Sequence, residues 1–223
     1  MARTMLITGA SSGIGAATAR AAVAEGWNVA LVARSATKLE ALAEQLGETA
    51  IVVPGDVADF TAMEAAVKAT VDHFGQLHAA FANAGQGIEK PGTEGGDPQE
   101  WRRVVDANVM GVLYTAKAAL PELRKTMGHL LLTGSAAGRR HVKGSIYSAT
   151  KWFVHGYAGN MSEEMREWGG RCTVISPGMV DTPFFDESKP EKLQPEDVAA
   201  AVMFALNQDP RAEVREVHIM PTS

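Results

Sequence analysis

Short apolar runs alternate with longer amphipathic stretches along almost the whole chain, and this alternation limits the folds open to it. Residues 5–8, 28–33, 50–53, 77–82, 129–133, 172–176 and 214–220 read as strands. Residues 13–25, 37–46, 60–74, 99–125, 147–168 and 195–207 read as helices. The strand runs are continuously apolar rather than alternating, the pattern of strands covered on both faces. Gly26, Gly47, Gly75, Gly128 and Gly170 each stand between a helical stretch and the next strand. Glycine there can take the left-handed conformation that caps a helix. The repeated βα unit predicts a doubly wound α/β fold: a parallel seven-stranded sheet, helices on both faces, right-handed crossovers. At 223 residues, with 46% apolar and 21% charged residues, one domain spanning residues 1–223 is expected. The stretch 89–97, rich in glycine, proline and charge, reads as a surface loop.

The first βα turn is Thr8-Gly9-Ala10-Ser11-Ser12-Gly13-Ile14-Gly15. Its glycines let the backbone turn tightly and approach a pyrophosphate, and the helix that follows offers unpaired N–H groups and a positive dipole end. A strand before it and a helix after it are the context that gives a glycine triplet meaning. The fold is therefore of the dinucleotide-binding, Rossmann type. Strand two ends Val32-Ala33-Arg34-Ser35, without the acid that often holds a ribose 2′-hydroxyl. Arg34 would instead pair with a 2′-phosphate, which a guanidinium suits. Ser35 would cap the next helix or donate to the same phosphate; Lys38 either helps or is solvated. The expected cofactor is NADP(H) in preference to NAD(H). Asp56, just past strand three, would bond the adenine amino group or close a turn.

Tyr147 and Lys151 stand four apart in a helical stretch, so both side chains leave the same face. An ammonium beside a phenol favours the phenolate and is expected to lower its pKa from about 10. A tyrosine tuned that way can give a proton to an alkoxide or take one from an alcohol. Ser135 lies twelve residues upstream, just after strand five.

Other classes find little support. The formal net charge is -5, with no basic stripe for nucleic acid and no polybasic segment for anionic lipid. No run approaches the roughly eighteen apolar residues of a membrane span. The opening Met-Ala-Arg-Thr enters a strand-like run at once, so no signal peptide is expected. The single cysteine, Cys172, excludes an internal disulfide and reads as a buried thiol, and the six histidines show no metal-ligand spacing. A reducing cytoplasm and no metal are expected.

Taken together, Thr8–Gly15, Asp56-Val57, Asn83-Ala84-Gly85, Asn108, Ser135, Tyr147-x-x-x-Lys151 and Pro177-Gly178 with Thr182 resemble the short-chain dehydrogenase/reductase family, in its single-domain NAD(P)(H)-dependent branch. The motifs run in family order from residue 8 to residue 182. One departure is Ala82 where the family often has a first asparagine before Asn83. The resemblance implies Tyr147 as general acid in reduction and base in oxidation, with Lys151 lowering its pKa and holding the nicotinamide ribose. It implies Ser135 as donor to the substrate oxygen, and Asn108 as the holder of a water linking Lys151 to solvent. Gly9, Ser11, Ser12, Gly13, Ile14 and Gly15 would cradle the pyrophosphate. Asp56 and Val57 would lie by the adenine, and Asn83, Ala84 and Gly85 by the adenosine ribose. The Val180 main chain and Thr182 would hold the nicotinamide carboxamide, and Pro177 and Gly178 would also line the cofactor. A homotetramer or homodimer is implied, built on the two long helices; Trp101, Phe153 and Met161 are interface or core.

The substrate implied is a small-molecule ketone or secondary alcohol. Candidate pocket walls are Gln86, Ala137, His141, Val142, Met179, Phe184 and Phe185. Of Arg139 and Arg140, either one docks a carboxylate or both are solvated. The stretch around Tyr147 and the closing His218–Pro221 resemble the family's 3-hydroxy-acid (serine-type) subgroup. A short segment after Pro177 implies a small or open lid. The competing reading is a dinucleotide-sensing regulator that binds cofactor without turnover.

Overall fold

The computed structural model describes residues 2–222 apart from Pro91 and Asp186. Its seven strands are β1 (Thr4–Thr8), β2 (Asn28–Ala33), β3 (Ala50–Pro54), β4 (Ala79–Ala82), β5 (His129–Thr133), β6 (Arg171–Pro177) and β7 (Glu216–Ile219). They form one sheet in the order β3-β2-β1-β4-β5-β6-β7, with every neighbouring pair parallel. The helices are α1 (Gly13–Ala24), α2 (Ala36–Leu46), α3 (Phe60–Phe74), α4 (Pro98–Val105), α5 (Gly111–Thr126), α6 (Ile146–Arg166) and α7 (Pro195–Leu206). The doubly wound α/β fold read from the alternation is the fold observed.

Continuous apolar strands make sense here because successive side chains enter two different cores. Met5, Ile7, Val29, Leu31, Phe81, Leu131 and Ile175 face one way and pack with α1, α2 and α7. Leu6, Ala30, Val32, Ala80, Ala82, Leu130 and Leu132 face the other way and pack with α3, α5 and α6. A strand with two apolar faces cannot show period-two alternation. The edge strands β3 and β7 are only half-buried. Cys172 lies in the second core, fully buried, and burial pushes its thiol well above the ordinary range. No helix among the described residues is long and apolar enough to cross a membrane.

Three local expectations are corrected. The single helix expected over 99–125 is broken by a π-helical turn at Asp106–Met110, between α4 and α5. Gly26, Gly47 and Gly75 take positive φ, but Gly128 and Gly170 do not. The left-handed residues at those two junctions are Met127 (φ 49°) and Gly169 (φ 79°). Gly128 answers a steric demand instead: a Cβ there would lie 2.7 Å from the His78 carbonyl oxygen. The last strand covers four residues, not seven.

Candidate functional site

Because all strands run the same way, their C-terminal ends share one edge of the sheet. The strands β2 and β3 lie on one side of β1 and β4–β7 on the other, and such switch points are where open α/β sheets take ligands. Thr8 ties this edge together. Its hydroxyl accepts from the N–H of Asn83 (3.0 Å) and of Ala84 (3.1 Å) and donates to the Phe81 carbonyl (3.3 Å). The Asn83 amide donates to the Thr8 carbonyl (3.0 Å) and accepts from the Thr133 hydroxyl (3.1 Å). The ends of β1, β4 and β5 are thus locked by the asparagine retained beside Ala82.

The glycine turn is built for close approach. Gly9 has φ 66°, and a Cβ on it would sit 2.9 Å from the Ala84 Cα. A Cβ on Gly15 would sit 2.3 Å from the Gly9 carbonyl oxygen. Gly13 faces Thr182, whose methyl would be 3.1 Å from an added Cβ, so the segment after β6 reaches the turn. Ile14 is half-buried against the first core. Ser11 is half-buried and Ser12 exposed. Helix capping singles out the same region. Asp59, Asp97 and Ser145 cap α3, α4 and α6 with their side chains, and α7 opens with a capping box. Ser12 and Ser35, the N-cap residues of α1 and α2, make no such bond. The N–H groups that open α1 are left to an anion. Arg34, at the end of β2, is exposed and has no partner among the described residues.

Asp56 closes a turn by accepting from the Ala58 N–H (3.0 Å). Val57 is buried, and a Cβ on Gly111 would meet its side chain at 2.7 Å. Gly85 faces both Asn108 and Lys151: a Cβ on it would lie 3.1 Å from the Asn108 Oδ1 and 3.8 Å from the Lys151 Nζ. Pro177 is the buried end of β6, and Gly178 donates to the Ile219 carbonyl (2.8 Å). Val180 pairs in parallel with Leu193 through its neighbours, the Asp181 N–H and the Met179 carbonyl. In a parallel pair this turns Val180's own N–H and C=O away from Leu193, free for a ligand. Uncapped helix starts, glycines that only hydrogen satisfies, a guanidinium unpaired among the described residues and a strand-like N–H/C=O pair turned away from its neighbour all fit a nicotinamide dinucleotide.

Lys151 is 5% exposed, and its Nζ donates to the Thr133 carbonyl (2.7 Å). Burial lowers its pKa to about 8. The Nζ lies 5.7 Å from the Tyr147 ring centre. Tyr147 corrects an expectation: its phenol pKa is raised, because burial outweighs the opposing hydrogen bond with Ser135. The ammonium is held by the Thr133 carbonyl, and no hydrogen bond joins it to the phenol. The Ser135 Oγ accepts from the Ala137 N–H (3.0 Å), which leaves its own proton to donate. Asn108 is 1% exposed and sits in the π-turn. It bonds not its own helix but the Gln86 backbone in both senses, Gln86 N–H to Oδ1 (2.7 Å) and Nδ2 to Gln86 carbonyl (2.9 Å), and Nδ2 also reaches Thr150 (3.1 Å).

The pocket candidates divide. The Phe184 ring lies 5.6 Å from that of Tyr147 and 5.3 Å from that of Phe185, and closes over Gly87. Val142 and Met179 are exposed. His141 instead lies on the outward-facing Trp152, 5.5 Å between rings. Gln86 holds Asn108 through its main chain. Arg139 is exposed but not free: its guanidinium pairs with Glu216 on β7 (Nε to Oε1, 2.6 Å). Arg140 is exposed. Met161 is core. Phe153 is half-buried against that same core and stacks on Tyr157 (5.6 Å), and Trp101 packs over Gly96. Three contributors escaped the sequence reading: Thr133, Thr150 and His155. Only His155, one turn beyond Lys151 on the same helix face, carried a spacing signal.

A family model described as short chain dehydrogenase matches residues 3–193. An uncharacterized oxidoreductase of Staphylococcus aureus strain MRSA252 is 39% identical over 222 residues, covering 97% of this chain and 96% of that protein. Among solved structures, an alcohol dehydrogenase from the archaeon Thermococcus sibiricus, complexed with 5-hydroxy-NADP, superimposes with a TM-score of 0.91 at 31% identity, covering 100% of this chain and 97% of that one. A serine dehydrogenase complexed with NADP+ gives 0.91 at 25% identity, covering 98% and 94%. A 3-ketoacyl-(acyl-carrier-protein) reductase from Brucella melitensis, complexed with NADH, gives 0.91 at 26% identity, covering 99% and 97%.

Proposed function

This chain belongs to the short-chain dehydrogenase family, as an oxidoreductase, and from that premise we propose that it interconverts a secondary alcohol and a ketone with NADP(H), NAD(H) being the weaker partner. The observation that carries the reading is a buried lysine one helical turn from a half-buried tyrosine, with the Ser135 hydroxyl hydrogen-bonded beside them. The dinucleotide, when bound, supplies or accepts the hydride. Tyr147 gives the proton to the alkoxide oxygen in reduction and removes it in oxidation. Ser135 donates to that oxygen as charge develops on it. Lys151 holds the nicotinamide ribose and, drawn from the Thr133 carbonyl, biases Tyr147 toward phenolate. Asn108, fixed by Gln86 and Thr150, holds the water that links Lys151 to solvent.

The turn Gly9–Gly15 with Ser11, Ser12 and Ile14 binds the pyrophosphate; Asp56 and Val57 face the adenine, Asn83–Gly85 the ribose, and Val180 and Thr182 the carboxamide, with Pro177 and Gly178 also lining the cofactor. The whole chain acts as one catalytic domain, in the cytoplasm, as a homotetramer or homodimer. The substrate class is a small polar ketone or 3-hydroxy acid, with Phe184 beside Tyr147 as one wall. The test is NADPH absorbance decay against a panel of ketones and keto acids. Turnover of at least one supports the reading; NADPH bound with none turned over favours the cofactor-sensing alternative.

Arg34 decides the cofactor in this reading, since its guanidinium is exposed and unpaired among the described residues. Arg34→Asp removes a charge-assisted contact to a 2′-phosphate and adds repulsion, so NADPH affinity falls by about 100-fold while NADH affinity changes by less than about threefold. Titration of each cofactor by fluorescence checks this; an unchanged ratio would count against the NADP preference.

A further inference from the structure

Below the loop that presents Ser135 lies a histidine the proposed chemistry does not use. His155 projects from α6 one turn after Lys151. Its ring is wedged against both glycines that bracket the loop Gly134-Ser135-Ala136-Ala137-Gly138. A Cβ on Gly134 would lie 3.1 Å from the His155 Nε2, and one on Gly138 would lie 2.6 Å from its Cδ2. The Nε2 is 3.3 Å from the Ser135 carbonyl oxygen and 3.2 Å from the Ser176 hydroxyl on β6. The same carbonyl also accepts from the Gly138 N–H (2.9 Å). On the other side of the ring, Nδ1 is 3.7 Å from the Glu216 Oε1, and Glu216 is held by Arg139, the residue that follows the loop.

We propose that His155 is the positioning residue for Ser135: its Nε2–H, bonded to the Ser135 carbonyl and braced by Ser176, fixes the backbone from which the Ser135 hydroxyl reaches the substrate oxygen. A carbonyl only accepts, so this bond requires the proton on Nε2. A neutral ring then presents a bare Nδ1 toward Glu216, whose carboxylate is occupied by Arg139. Burial holds the His155 pKa below its ordinary value, against the opposing pull of the Ser135 carbonyl, which favours the neutral form this tautomer needs. The Ser135 hydroxyl is anchored twice: its oxygen by the Ala137 N–H, its main chain by His155. A donor displaced by even about 1 Å loses much of its value to a developing oxyanion. A methyl at 138 would collide with the ring and the Lys151 backbone, and one at 134 would press on Val174, Ser176 and the ring.

The inference rests on the proposed role of Ser135, and the test separates the two. With NADPH and acetophenone or ethyl acetoacetate as ketone probes, His155→Leu is expected to lower kcat by about 10- to 100-fold, with KM and NADPH affinity within about threefold of the parent. His155→Gln, which keeps an N–H donor, is expected to recover most of that loss. In a Ser135→Ala background His155→Leu costs nothing more, because the hydroxyl it positions is gone. Parental kcat in His155→Leu, an equal further loss in the Ser135→Ala background, or a glutamine variant as slow as leucine would overturn the assignment. Where Ser135→Ala itself turns over like the parent, the proposed chemistry fails instead. Imidazole 15N spectra of the unmutated chain give a reading independent of variants and of substrate. A protonated Nε2 with a bare Nδ1 is expected; the opposite tautomer overturns the proposal.

Discussion

Replacing Tyr147 with phenylalanine will lower kcat for ketone reduction by about 10³-fold and leave NADPH affinity within about twofold of the parent. The two effects separate because the substitution removes one oxygen and little else. The ring keeps its contact with Phe184, 5.6 Å away, so the fold and the lid side of the site are retained. Water and Ser135 must then protonate the alkoxide, at a cost of about 4 kcal/mol in the barrier. Burial raises the Tyr147 pKa, so the phenol carries its proton through neutral pH. Reduction should therefore be flat from acid to neutral pH and fall only on the alkaline side. Oxidation needs the phenolate and should rise with pH over the alkaline range. Steady-state rates in both directions across that range, with cofactor titrations of the variant, check the prediction. A phenylalanine variant within tenfold of the parent would remove Tyr147 from the chemistry.

That Tyr147 could be singled out from sequence at all reflects where the legible information lies. The strands β1, β2, β5 and β6 and the glycine turn are written in local patterns: buried apolar runs, and glycine where only hydrogen fits. Asn108 was legible as a residue but not as a geometry. The stretch Asp106–Met110 reads as an ordinary part of one long helix. The π-turn widens the helix there, and Asn108 spans to the backbone of Gln86, 22 residues away. No helical period encodes that. Arg139 failed for a related reason, since its partner Glu216 lies 77 residues on and a neighbouring arginine pair says nothing of it. Met127 takes the left-handed cap beside a glycine because Gly128 is needed for close approach to His78. The expected direction of the Tyr147 shift also failed, because spacing places charges near each other but does not report burial. Substrate choice is least legible of all: Val142, Met179 and Phe184 are exposed side chains on loops, and loops carry no periodicity.

Lys151 gives the second large effect, and it has two opposite signs. Lys151→Met should lower kcat by at least about 100-fold while making the cofactor-free protein more stable at neutral pH. The parent holds an ammonium at 5% exposure, bonded to the Thr133 carbonyl and paired with no carboxylate among the described residues. Desolvation brings its pKa from 10.5 to about 8. A lowered lysine pKa means that between about pH 8 and 10.5 the unfolded chain binds more protons than the folded one. Stability contributed by this group therefore rises with pH across that window and is lost as pH falls through about 8. The full swing is about 3 kcal/mol, with the folded state bearing that cost at pH 7. Methionine fills the same volume without the charge. It leaves the Thr133 carbonyl short of a donor, which returns about 1–2 kcal/mol of the gain. The net of about 1–2 kcal/mol corresponds to a rise in Tm of about 2–8 °C for a chain of this length. Thermal melts of parent and variant from pH 6 to pH 10, without cofactor, read the difference directly. The variant should lead at pH 7, and the lead should shrink above pH 8 as the parent's lysine sheds its proton. A variant less stable than the parent at pH 7, or a gap that does not change with pH, would mean that the buried ammonium is not the strained element of the site. A gap that closes on the alkaline side would mark Lys151 as a residue kept charged against the preference of the fold, which is what a proton-transfer site requires of it.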